Sequence, residues 1–156
     1  MYLRKYDILT NHGDNRDEKY FGDFFSFSSE HGAHAQKIAT SELNGTKWKL
    51  VKPVFNYCDK TMSFTNTTVT NTSNYHYIKR GETKESKRFF SNSYPYYLAA
   101  TIPTKFNQSF VGKVKSGAYV IKYVNKRVVA FKVLSISNAQ LKLSTPQGDV
   151  LVYDKI

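Results

Sequence analysis

Cysteine is nearly absent from this chain of 156 residues, in which Cys58 stands alone. A disulfide within the chain is therefore excluded, and cysteine usage does not indicate the redox compartment. No apolar run approaches the roughly 20 residues that a membrane-spanning helix needs. The first residues, MYLRKYDILTNHGDN, contain no continuous apolar stretch, so we expect no secretory signal within them. A signal removed by processing would leave the same pattern.

Acidic residues are missing from one long segment. No Asp or Glu occurs between Ser86 and Gly148, and the chain carries a net charge of +11. The basic residues of the segment are Lys87, Arg88, Lys105, Lys113, Lys115, Lys122, Lys126, Arg127, Lys132 and Lys142. A field of one sign favours anionic partners such as nucleic acid, lipid headgroups or acidic glycans. Alternatively, lysines that alternate along strands form the solvated face of a sheet, where they also prevent edge-to-edge aggregation.

Four short apolar runs fill residues 117–156, and each is too short for an average helix. The turn-forming residues between them are Asn125-Lys126, Ser137-Asn138 and Pro146-Gln147-Gly148-Asp149. Apolar and polar side chains alternate within the runs, most clearly around Leu141 and Leu143, as in a sheet with one solvated face. The pattern predicts an antiparallel meander. A break in the alternation predicts a bulge near Leu134–Ser135.

The rest of the chain offers further strands and one helix. Residues 28–43 are the helix candidate, with Ile38 and Leu43 on its apolar face. Residues 46–58 form a strand pattern in which Pro53 indicates an edge, a bulge or an end. The polar residues 79–88 are typical of an exposed hairpin tip or loop. About eight to ten short strands with one short helix predict a single all-β domain, a sandwich or a barrel.

The first and last segments of residues 43–156 together resemble those of the bacterial lipocalin-like domains found in extracytoplasmic proteins. The opening LNGTKW, from Leu43 to Trp48, is similar to the L-x-G-x-W first strand of that family, with one more residue between Gly45 and Trp48. The chain closes on a last strand that ends Val152-Tyr153-Asp154-Lys155. In that family a basic residue packs over the tryptophan, and the sequence alone does not identify it here.

The resemblance implies an antiparallel lipocalin-like β-barrel over residues 43–156, with residues 1–42 as an N-terminal extension that packs on the barrel or caps it. It also implies a bacterial protein outside the cytoplasm, whether secreted, periplasmic or derived from a lipoprotein. Trp48 would be a buried structural residue that closes one end of the barrel. The function of such domains is unknown or ligand binding.

A non-catalytic binding protein follows as the functional hypothesis. It would hold a small apolar or amphipathic ligand, or act as an extracytoplasmic interaction module. Parity and aromatic content select the candidate cavity residues Phe64, Tyr97, Tyr119, Ile121, Phe131, Val133 and Leu141. The alternative is a basic β-domain that binds nucleic acid or another anionic polymer through residues 86–148, with aromatic rings stacking on bases.

Catalytic and metal-binding motifs are weak. His31 and His34 have the spacing of neighbours on one helix face, but a tetrahedral metal site needs two more ligands. Cys58 is typical of a small buried hydrophobic residue. We therefore expect no enzyme activity, no metal and no cofactor.

Overall fold

The computed structural model describes residues 34–156, and within them Ala35–Ile156 form one compact unit. This described part contains ten strands, one four-residue helix and one 3-10 turn. The strands are β1 (Ile38–Ala39), β2 (Lys47–Lys52), β3 (Cys58–Phe64), β4 (Thr68–Ile78), β5 (Glu85–Ala99), β6 (Ser116–Gly117), β7 (Tyr119–Val124), β8 (Arg127–Ile136), β9 (Gln140–Ser144) and β10 (Val150–Lys155). The helix α1 is Thr40–Leu43, and the 3-10 turn is Gln108–Phe110.

Eight of these strands close into an antiparallel barrel in the order β10-β2-β3-β4-β5-β7-β8-β9. The predicted fold class, an all-β antiparallel barrel with one short helix before it, is confirmed, and the architecture is consistent with a lipocalin-like barrel. The two remaining strands, β1 and β6, pair with each other outside the barrel. No helix in residues 34–156 has the length and hydropathy to cross a bilayer.

The meander predicted for residues 117–156 is confirmed as β7 to β10. Asn125 and Lys126 join β7 to β8 with φ of 49° and 63°, the backbone that a two-residue hairpin turn needs. The pairing of β8 with β9 shifts register between Val133 and Ser135, which confirms the bulge. That extra residue brings Ile136 opposite Leu141, so the alternation resumes on the same face.

The helix is much shorter than the pattern of residues 28–43 predicts. Residues 28–33 lie outside the described part, residues 34–37 have no regular structure, and Ile38–Ala39 form a strand. Tertiary pairing explains the difference, because the Gln36 N–H donates to the carbonyl of Val133 and β1 pairs with Ser116–Gly117. Long-range sheet contacts therefore override the weak local helix preference.

Two predicted segments keep their position but change their bounds. The strand predicted over residues 46–58 stops at Lys52, directly before Pro53, and Cys58 already belongs to the next strand. The polar residues predicted as a hairpin tip fall partly into β5, and residues 79–84 form the exposed connection from β4. Beyond the level of Cys58, which pairs with Tyr75, β4 pairs only with β5. The outer part of this hairpin is therefore a two-stranded ribbon.

The antiparallel strands give the barrel two distinct ends. We call one the helix end, because α1 leads into it and it carries the connections 44–46, 65–67, 100–118 and 137–139. We call the other the ribbon end, because it carries the β4–β5 ribbon and the connections 53–57, 125–126 and 145–149. The helix end is closed by Leu43 and Trp48, which are 0% and 1% exposed.

Close backbone packing fixes one glycine at the helix end. A Cβ at Gly117 would overlap the backbone of Ala99, so no side chain fits there. The indole N–H of Trp48 donates to Thr46 Oγ1 at 2.7 Å, and that hydroxyl donates in turn to the Leu43 carbonyl. The Lys155 ammonium lies 5.8 Å from the centre of the Trp48 ring, within the range of cation–π attraction. Trp48 is thus buried, as predicted, and its single polar atom is satisfied.

Candidate ligand site at the ribbon end

The barrel interior changes chemistry from one end to the other. Residues directly opposite each other on paired strands point to the same face, so the register of β3, β4 and β5 divides their inner side chains into rungs. From the helix end outward these rungs are Phe64, Val69 and Tyr94; then Met62, Asn71 and Asn92; then Lys60, Ser73 and Phe90. The first rung is apolar and aromatic, the second has two amides beside Met62, and the third carries the cation of Lys60. In the outer two rungs, Asn92 and Phe90 are exposed to solvent.

Lys122 is the most unusual residue of the interior. On β7 it pairs with Tyr96 of β5 and Val129 of β8, and Val120 on the same face belongs to the apolar core. The face that β7 presents to the interior therefore turns from valine to lysine within two residues. Lys122 is only 6% exposed, although an ammonium group is among the most costly groups to bury.

Two aromatic rings surround the Lys122 ammonium. Its Nζ lies 4.4 Å from the centre of the Phe131 ring and 5.9 Å from that of Tyr94. Both distances are within the range of cation–π attraction. Burial nevertheless lowers the pKa of Lys122 to about 8, because desolvation disfavours the charged form.

No carboxylate within residues 34–156 neutralises Lys122. Asp59 accepts from Lys49 at 3.1 Å and lies 3.2 Å from His76, whose other ring nitrogen is 3.3 Å from Glu85. These groups belong to the outer face of the sheet, opposite in parity to the rungs. The other described acids lie in α1, in exposed connections or on the outer face of β10: Glu42, Glu82, Asp149 and Asp154. The interior therefore holds a cation without a counter-ion among the described residues.

Several apolar side chains of the interior are only partly buried. They pack against the apolar core and include one residue at the helix end, Ile136; the others are Leu50, Tyr94, Phe131 and Leu151. An apolar body, aromatic rings and a few polar groups are the chemistry that small-molecule sites combine. The ribbon end of the barrel, toward which amides and a lysine follow the aromatic rung, is therefore the candidate site.

The structure divides the predicted cavity residues between two faces of the barrel wall. Phe64, Phe131, Val133 and Leu141 belong to the interior cluster or pack against it. Tyr97, Tyr119 and Ile121 belong to a second cluster on the outer face of β5, β7 and β8. The seven residues therefore do not line one common cavity.

The second cluster explains why side-chain parity alone assigned the wrong face of β7 to the interior. Residues 100–115 cover the outer face, where the Tyr97 ring lies 5.0 Å from Phe106 and 5.5 Å from Phe110. The backbone N–H of Asn107 donates to the Tyr97 hydroxyl. Ile121 is completely buried beneath this cover. A strand with both faces buried has apolar residues on each, so its alternation does not show which face is inside.

The remaining chemical candidates lie outside this site. Cys58 is 5% exposed and serves as a small buried residue at the start of β3. His31 lies outside the described residues, so the predicted histidine pair is not placed. Within residues 34–156 no cluster of His, Cys, Asp or Glu has the geometry of a metal site. The hydrogen bond from Lys49 is the main cause that holds the pKa of Asp59 below its usual range, as in an ordinary surface ion pair.

The basic residues of segment 86–148 are spread over several elements. Lys87 and Arg88 lie on the ribbon, Lys105, Lys113 and Lys115 in the covering connection, Lys126 and Arg127 at the β7–β8 turn, Lys132 and Lys142 on outer faces, and Lys122 inside. Lys122 therefore belongs to a different environment from the other nine.

Comparisons with protein-family models, with curated proteins and with solved structures find no match to this chain. The resemblance to bacterial lipocalin-like domains therefore stays a prediction from the sequence.

Proposed function

We propose that this protein is a non-catalytic, lipocalin-like binding protein that holds a small amphipathic ligand in the ribbon end of its barrel. The observation that carries the proposal is the gradient along the interior. Along β3, β4 and β5 the apolar and aromatic rung nearest the helix end is followed toward the ribbon end by a rung with two amides and then by a rung that carries the ammonium of Lys60. A ligand with an apolar body and a polar head matches that gradient.

The gradient is not what stability of the barrel alone requires. A core filled only for stability is uniformly apolar, because each buried polar group costs free energy unless it is paired. Lys122 retains its amine in the interior, and Leu50 and Leu151 leave apolar surface partly open. A bound ligand would cover that surface and gain the hydrophobic free energy of its burial.

A titration with the neutral fluorophore N-phenyl-1-naphthylamine tests the proposal. We expect saturable binding to the full chain with a dissociation constant on the order of micromolar, visible as increased emission. Leu151→Trp and Val152→Trp form a matched pair, since Leu151 packs on the core and its neighbour points to the opposite face. The first should abolish saturable binding and the second should leave it intact, with thermal unfolding confirming that both variants fold. Binding that does not saturate, or that survives Leu151→Trp, contradicts the proposed site.

A second candidate function is supported by the ribbon. Phe89 is 65% exposed, and the Arg88 guanidinium lies 4.8 Å from the centre of the exposed Phe90 ring. Two cations followed by two exposed rings, Lys87-Arg88-Phe89-Phe90, suit a single-stranded nucleic acid, whose bases stack while its phosphates are neutralised. Binding to a labelled oligothymidylate should then weaken steeply as salt rises, and Phe89→Ala should weaken it further. Salt-independent binding, or none, removes this candidate.

A further inference from the structure

Lys122 raises a specific question about the ligand, because the barrel contains a buried cation that nothing described neutralises. As a whole residue, Lys122 is only 6% exposed. Among residues 34–156, no ion pair or hydrogen bond to its Nζ occurs, and the aromatic rings of Tyr94 and Phe131 lie next to it. Aromatic faces compensate only part of the hydration that a buried ammonium loses.

The strands on either side of β7 bring no carboxylate to this cation. The ionisable side chains of β5 are Glu85, Lys87, Arg88, Tyr94, Tyr96 and Tyr97, and those of β8 are Arg127 and Lys132. Glu85 is held by His76 on the outer face, far along the ribbon from the Tyr96–Lys122 pair. Across the barrel, Lys60 lies on an inner rung, and its Nζ is 4.4 Å from the centre of the Phe55 ring. No acid occupies an inner rung.

We propose that Lys122 binds the anionic head group of the ligand, which is therefore an amphipathic carboxylate or phosphate ester with its apolar part against Phe131, Tyr94 and the adjoining core. This inference rests on the proposed function and names the class of ligand. An anion within the site would supply the counter-charge that no described residue provides. Charge-assisted hydrogen bonds of an ammonium to an oxyanion are stronger than neutral ones, especially where water is excluded.

A purely structural role for Lys122 is the competing explanation. Lysine stems pack on apolar surface while their heads reach water, and the ring contacts alone could hold the side chain in place. The two explanations differ in what happens on substitution. If Lys122 only packs, methionine, which has a similar length and no charge, should serve equally well and should not change which ligands bind.

The test compares ligands of equal chain length that differ only in the head group. Decanoate, decyl phosphate, 1-decanol and decyltrimethylammonium are each used at pH 7 to displace N-phenyl-1-naphthylamine from the full-length protein. Lys122→Met is compared with Lys142→Met, the same change at an exposed position on β9. Thermal unfolding confirms that both variants fold. Chemical shifts of the 13C-labelled Lys122 Cε in the wild type report directly on contact with the head group.

We expect the two anions to bind at least about tenfold more tightly than decanol, and the cation to bind most weakly. Lys122→Met should reduce the preference for anions over decanol to within about twofold, and Lys142→Met should keep the preference. The order of decanoate and decyl phosphate then identifies the head group. Equal binding of decanol and decanoate, or a preference that survives Lys122→Met, overturns this inference alone. If neither the fluorophore nor any ligand binds, the proposed function fails as well.

Discussion

The two ends of the barrel differ in how completely their side chains are buried and paired, although the same strands form both. At the helix end, Trp48 and Leu43 are almost completely buried, and the indole N–H has a partner in Thr46. At the ribbon end, Phe131 stays partly accessible and Lys122 is buried without a counter-ion among the described residues. The first end follows the rules of a stable core and the second departs from them.

The difference indicates where the protein has traded stability for another property. A buried lysine lowers stability relative to an apolar residue of the same length, because desolvation of the ammonium is costly. Residues that violate the rules of a well-packed core concentrate at functional sites. The contrast between Trp48 and Lys122 therefore separates the part of the interior that supports the fold from the part that we propose binds ligand.

Removing the side chain that closes the helix end should have the largest effect. Trp48→Ala should lower the free energy of unfolding by about 3–5 kcal/mol, because it leaves a large cavity in the core. Phe89→Ala, at a ring that is 65% exposed on the ribbon, should change stability by less than about 0.5 kcal/mol. Urea unfolding of both variants measures the difference. Similar losses at the two positions would mean that the ends are not energetically distinct.

The pH dependence of stability should single out Lys122. Its pKa of about 8 in the folded state lies below the unfolded value, so between pH 8 and about 10 the unfolded chain binds more protons and stability rises with pH. The rise should be up to about 2 kcal/mol, since one pH unit contributes at most about 1.4 kcal/mol per proton. Above this range stability should fall, because burial raises the pKa of Tyr96 and Tyr153 to about 12 while the same groups ionise in the unfolded chain.

Urea unfolding at pH 7, 8, 9 and 10 measures that rise. Lys122→Met should remove it and should stabilise the protein at pH 7, where the wild type carries the buried charge. Lys142→Met keeps the interior unchanged and should keep the rise. A flat wild-type profile would show that the ammonium is better solvated than its burial implies.

A smaller effect should distinguish the two faces of the barrel wall. Phe131→Ala should weaken binding of N-phenyl-1-naphthylamine by roughly tenfold, because Phe131 packs on the interior. Tyr119→Ala should change that affinity by less than about twofold, because Tyr119 belongs to the outer cluster. The same fluorescence titration measures both. A loss of affinity in Tyr119→Ala equal to that in Phe131→Ala would place the binding site under the covering connection instead.

Local chemistry was sufficient to predict several elements. The turn at Asn125-Lys126 tolerates positive φ, the broken alternation near Ser135 gives the bulge, and Pro53 ends a strand. Each depends on residues close together in sequence, so the pattern contains the information. The candidate site was predicted only in part. Phe64, Phe131, Val133 and Leu141 were placed in or against the interior, whereas Tyr97, Tyr119 and Ile121 were assigned to the wrong side of the wall.

By itself, the sequence determined that this chain forms short antiparallel strands, with a buried tryptophan and an acid-free basic segment. Only the tertiary structure shows which face of β7 lies inside. Both faces of this strand are apolar, and the connection 100–115 covers the outer one. The tertiary structure also decided that Lys122 is buried while the nine other basic residues of segment 86–148 are not, since a lysine's burial depends on which strands close around it. Alternation divides a strand into two faces, and only closure of the barrel assigns one of them to the interior.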